Sequence, residues 1–125
     1  MSDPEKWMPP FASGKLASSY KPLYYYWKEL KESGEEELLE KSTLNEDDYR
    51  KVAELAQNSS NVYDILESLK ESFKERISPE HAVKALRRYG VNVDEDSAVE
   101  ILAGLLASWA IEAAEKWGMI RLRER

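Results

Sequence analysis

From position 23 onward apolar residues recur at spacings of three and four, the period of an amphipathic helix rather than a strand. Leu23, Tyr26, Trp27 and Leu30 share one face of a first helix that starts near Pro22, a good first-turn residue, and stops before Gly34. Glu35 to Lys41 reads as a short acidic turn of helix. Asn45 and Asp48 form a capping pair for a helix over about 46–57, burying Tyr49, Val52, Ala53, Leu55 and Ala56. After the turn signal Asn58-Ser59-Ser60-Asn61, a stripe of Val62, Ile65, Leu66, Leu69 and Phe73 predicts a helix over 61–76, with Glu67, Lys70, Glu71 and Lys74 opposite. Ser78-Pro79-Glu80 opens the next helix, 79–89, by a cap, a first-turn proline and an acid near the positive helix end. Ala82, Val83, Leu86 and Tyr89 face inward there, His81 faces solvent, and Gly90 ends it.

Val91-Asn92-Val93 is an extended link, after which Asn92 or Asp94 caps the last and longest helix, 95–117, closed by Gly118. That helix is apolar on nearly every side, as expected of one surrounded by others. Ala103, Ala107, Ala110 and Ala114 form a ridge of small side chains. Gly104 in mid-helix costs about 1 kcal/mol relative to Ala, so close approach of a neighbouring helix is expected beside it. The ridge suits a packed core first, and second a helix shared between the core and a protein interface with another subunit or a second copy. The final residues, from Met119 to Arg125, alternate like a very short strand. The fold class expected is therefore all-α: a compact bundle of about five helices around a long apolar C-terminal helix.

Residues 1–18 differ. They hold Pro4, Pro9 and Pro10, which exclude a helix interior, so they read as an extended arm preceding a single helical domain over 19–125. The arm carries Trp7, Met8 and Phe11, an apolar load unusual in plain disordered tails. These three, with Ala103, Gly104, Ala107, Ala110 and Ala114, are the candidate protein interface.

Composition narrows the chemistry. With 125 residues the chain makes one domain with a real core. It has no Cys and one His, which leaves no disulfide framework, thiolate site or His-rich zinc site. The first twenty residues lack a signal-peptide pattern. The longest charge-free run in a helix, Ile101 to Ile111, is eleven residues, short of the ~20 that span a bilayer. A cytoplasmic protein with no membrane partner is expected. Charged residues reach 34%, a usage that resembles thermophile proteins. No phosphate loop, dinucleotide glycine pattern, calcium loop or Gly-x-Ser-x-Gly elbow occurs. The acid clusters sit at helix starts, where the dipole favours them. A non-enzymatic protein without metal or cofactor is the expectation.

The net charge of −6 is unevenly spread. Residues 32–48 hold eight acids and one lysine, whereas residues 15–31 hold four lysines and one glutamate. That basic stretch also holds Tyr20, Tyr24, Tyr25, Tyr26 and Trp27, and aromatics interleaved with lysines are the ingredients of a stacking platform for single strands. The candidate nucleic-acid contacts are Lys15, Lys21, Tyr24, Tyr25, Lys28 and Lys31, a second basic patch at Lys84, Arg87 and Arg88, and a third at Arg121 and Arg123. Consecutive tyrosines cannot all face inward, so one or two are expected at the surface.

In size, helicity and local basic patches the chain resembles the small helical subunits of CRISPR effector complexes, which line a single strand with lysines and arginines. This likeness implies a subunit of a larger assembly, with other protein subunits and single-stranded nucleic acid as partners. The alternative is a DNA-binding transcriptional regulator whose C-terminal half, Ile65 to Arg125, looks like a degenerate winged helix. Its would-be recognition helix, however, opens Asp94-Glu95-Asp96 and is otherwise apolar, which does not suit a major groove.

Overall fold

A computed structural model of the chain describes residues 21–58 and 61–116. Within them run six α-helices and one 3₁₀ turn, and no strand: α1 Lys21–Glu32, α2 Glu36–Lys41, α3 Glu46–Asn58, α4 Val62–Phe73, the 3₁₀ turn Lys74–Arg76, α5 Pro79–Tyr89 and α6 Glu95–Lys116. The all-α bundle around a long apolar C-terminal helix is as expected: α6 packs against α1, α3, α4 and α5. The arm, the turn residues Ser59 and Ser60, and the segment from Trp117 onward, with its strand-like alternation, lie outside the described residues.

The helices end where the local chemistry says they should. Gly34 and Gly90 sit at φ +75° and +100°, in the left-handed region that side chains with a Cβ avoid, and they stop α1 and α5. Asn45 and Asp48 close a reciprocal capping box: the Asn45 amide donates to Asp48 Oδ2 at 2.8 Å, and the Asp48 amide donates to Asn45 Oδ1 at 3.1 Å. Asp94 caps α6 by accepting the Ser97 amide at 2.8 Å, and that bond holds its carboxyl below the usual carboxylate range. Asn61 caps α4 by accepting the Tyr63 amide at 2.9 Å.

The core is one cluster. Leu23, Tyr26, Trp27 and Leu30 of α1 are buried, as are Ile65, Leu69 and Phe73 of α4 and Ala82 and Leu86 of α5. Trp27 meets Trp109 of α6 edge-on at 5.4 Å between ring centres, and its indole N–H donates to the buried Ser42 hydroxyl at 3.1 Å. The Ser42 hydroxyl donates in turn to the Leu39 carbonyl, so α2 is tied to the core by a satisfied polar relay.

Four expectations need correction. Val62 opens the α4 stripe but stands exposed, because the first residue of a helix projects beyond the packed turns. Tyr89, the last residue of α5, is 45% exposed rather than inward. His81 does not face solvent; it is buried, with Nδ1 2.8 Å from Ser78 Oγ. Ser78 occupies the cap position of α5, but its side chain turns to His81 and caps nothing. By length and composition α6 could cross a membrane, but more than half of its most apolar stretch is buried inside the bundle, as in the core helix of a globular fold.

Candidate nucleic-acid interface

Tyr24, Tyr25 and Tyr26 project from α1 at steps of about 100°. Tyr26 takes the inner position. Its hydroxyl accepts the Ser78 amide at 2.8 Å, and burial pushes the phenol up to about 12, only partly opposed by that hydrogen bond. Tyr24 and Tyr25 are left half-buried at the surface.

Because α1 packs most extensively on α5, the Tyr25 ring meets the end of α5. Tyr24 and Tyr25 lie 6.1 Å apart between ring centres, and Tyr25 and Tyr89 lie 6.3 Å apart, each pair tilted by about 50°. Two cations flank this row. Lys28 Nζ is 5.7 Å from the Tyr24 ring centre, and Arg88 Cζ is 5.6 Å from that of Tyr25. The result is a strip of three aromatic rings, two partly and one well exposed, with a cation set over each of the two partly exposed rings.

The fold thereby joins two patches that are separate in the sequence. Lys21, Lys28 and Lys31 of α1 and Lys84, Arg87 and Arg88 of α5 belong to one helix pair, six cations against the three carboxylates Glu29, Glu32 and Glu80. Lys21, Lys31, Lys84 and Arg87 are exposed. Lys84 lies 3.7 Å from Glu80, a loose surface pair. Arg88 is held more firmly, with Nη1 3.1 Å from Glu29 and 3.4 Å from Glu32. Of the acid-rich stretch, Glu32 is the member drawn into this face, whereas Asp48 is paired with Arg76, and Glu46 and Asp47 with Arg50.

Lys15, Arg121 and Arg123 lie outside the described residues, as do Trp7, Met8 and Phe11. Ala103, Ala107, Ala110 and Ala114 are fully buried in the fold, so packing within the chain already accounts for their size. Gly104 is half-buried, and a Cβ built there meets only Lys70 Cδ, at an ordinary 3.6 Å. The expected close helix approach at Gly104 is therefore not what the structure shows. Tyr89 is the site residue that sequence reasoning placed wrongly. It stands three and four positions after the buried Leu86 and Ala85, so periodicity points it inward, and only the end of the helix lets it swing out against Tyr25. Among the described residues, no group of three His, Asp or Glu side chains is placed to hold a metal ion. No protein-family model, curated protein or solved structure matches the chain.

Proposed function

We propose that the protein is a non-enzymatic, cytoplasmic helical subunit of a larger assembly that contacts single-stranded nucleic acid through the α1–α5 face. The observation that carries this reading is the Tyr24–Tyr25–Tyr89 strip with Lys28 and Arg88 set over its rings. Bases stack on such rings whatever their identity, and flanking cations track the backbone. The strip itself offers rings, an ammonium and a guanidinium but no Asn or Gln, the usual partners of adenine, so the recognition is sequence-tolerant. The likeness in size and helicity to the small subunits of CRISPR effectors supports the same role. A winged-helix reader fits less well: α6 starts with acids and buries Ala98, Leu102 and Leu106, leaving no basic face for a groove.

Fluorescence anisotropy with a labelled oligothymidylate tests the reading. The expected result is binding at low salt that weakens linearly in log salt. No binding at about 50 mM salt, or unchanged binding when Tyr24, Tyr25 and Tyr89 are all replaced by Ala, overturns it.

A further inference from the structure

We infer that Glu29 and Glu32 form a carboxylate gate on Arg88, which keeps its guanidinium from base-free polyanions and yields it to a strand that also stacks on Tyr25. This rests on the single-strand reading above and names how that surface selects its ligand.

Three observations point to the gate. Arg88 is the cation set directly over the strip, and it is 37% exposed, open to a ligand. The same guanidinium is held by two carboxylates, Glu29 at 3.1 Å and Glu32 at 3.4 Å. Glu29 is only 17% exposed, so its charge is poorly screened and its hold on Arg88 persists in salt. Finally, Glu29 and Glu32 lie in the last turn of α1, where the helix dipole disfavours carboxylates. Helix stability does not explain acids at that place; the pairing with Arg88 does.

A phosphate approaching Arg88 meets two negative charges already bound to it. Polyphosphate has only further negative charge to offer and is repelled. A single strand lays a base against the Tyr25–Tyr89 ring pair, of which Tyr89 is the exposed member, and that stacking is insensitive to the carboxylates. Once the base is seated, its own phosphate is held beside Arg88 and competes with Glu32, the more exposed of the two acids, as a tethered group.

The test compares the wild-type chain with Glu29→Gln/Glu32→Gln, using labelled oligothymidylate and inorganic polyphosphate as probes over a range of salt. Glu32→Gln alone, at an exposed position, serves if the double variant is poorly folded by circular dichroism. The gate predicts that the variant gains more affinity for polyphosphate than for the oligonucleotide. It also predicts that the polyphosphate salt slope steepens, because Arg88 becomes available to it, while the oligonucleotide slope stays nearly unchanged, because the strand reaches Arg88 in both proteins. A variant whose polyphosphate affinity and slope match the wild type overturns the gate while leaving the strand reading intact. A wild type that ignores the oligonucleotide overturns the strand reading, and a variant that then gains polyphosphate binding still supports the carboxylate brake.

Discussion

Arg76 and Asp48 close a two-pronged ion pair across the bundle: Nη1 donates to Oδ1 at 2.8 Å and Nη2 to Oδ2 at 3.1 Å. The rest of the guanidinium is also occupied, with Nε donating to the Lys41 carbonyl at 2.6 Å and Nη2 to that of Thr43 at 3.0 Å. The side chains are 20% and 14% exposed, so this is a pair largely withdrawn from water. It fastens the 3₁₀ turn to the α2–α3 link, and Asp48 is also half of the α3 capping box. Removing one partner strands the other charge. Arg76→Ala is expected to cost about 3 kcal/mol in urea unfolding. Arg76→Lys should recover little of it, since an ammonium cannot reproduce the planar fork. A loss under about 1 kcal/mol would place the pair among ordinary surface ion pairs and refute this account.

Gly104 gives a prediction of opposite sign. It lies inside α6, where glycine is disfavoured by about 1 kcal/mol relative to alanine. An added Cβ would touch Lys70 Cδ at 3.6 Å, an ordinary contact. Gly104→Ala should therefore stabilise the fold by about 0.5–1 kcal/mol, seen as a rise of several degrees in Tm. A fall in Tm would mean that the neighbourhood of Lys70 is tighter than the structure shows.

The contrast between these two residues explains what could be read beforehand. Helices, caps and stops depend on neighbours in the chain: Asn45 with Asp48, Ser97 with Asp94, Gly34 and Gly90 at their turns. Such local chemistry is written in order, and the expected elements match the observed ones to within a few residues. Arg76 with Asp48, or Tyr25 with Tyr89, joins positions whose proximity depends on how α1, α3 and α5 assemble. No spacing rule reaches across those gaps. The sequence carries the basic residues of α1 and α5 as two separate patches, and only tertiary packing unites them and sets Glu29 and Glu32 against Arg88. His81 is illegible in the sequence for a related reason: a polar residue one turn into a helix looks exposed, yet Ser78 gives its Nδ1 a partner that makes burial tolerable.

Alkaline pH should unfold the protein earlier than its tyrosine count suggests. Burial pushes Tyr26 up to about 12, and Tyr49 likewise, burial first and the Asp48 charge second. The unfolded chain loses these protons near pH 10 while the folded chain keeps them, so between pH 10 and 12 the folded state binds more protons. Stability then falls as pH rises. For Tyr26 the slope is about 1.4 kcal/mol per pH unit. Lys70, raised chiefly by its hydrogen bond to Glu100, acts with the same sign, its contribution being lost as pH rises through its folded value. Urea midpoints between pH 9 and 12 should drop steadily, and Tyr26→Phe should show a shallower drop from a lower neutral-pH stability, because the Ser78 amide loses its acceptor. An equal slope in wild type and Tyr26→Phe would show that Tyr26 ionises as readily folded as unfolded.

Tyr89 separates binding from folding more cleanly than any other residue of the strip. It is 45% exposed, it ends α5, and its ring meets Tyr25 without filling the core. Tyr89→Ala should therefore shift stability by about 0.5 kcal/mol at most, within the range of surface substitutions. If a base stacks there, the same change should weaken single-strand binding by about 1–3 kcal/mol, roughly five- to 150-fold. Its salt slope should stay unchanged, because no cation has been removed. Tyr89→Trp, which keeps a stacking face, should restore most of the affinity. The charge-only variant Arg87→Gln should do the reverse, with a modest loss of affinity and a shallower slope. Were Tyr89→Ala to alter the slope and not the low-salt affinity, the strip would be acting through its neighbouring cations and the rings would not be the platform.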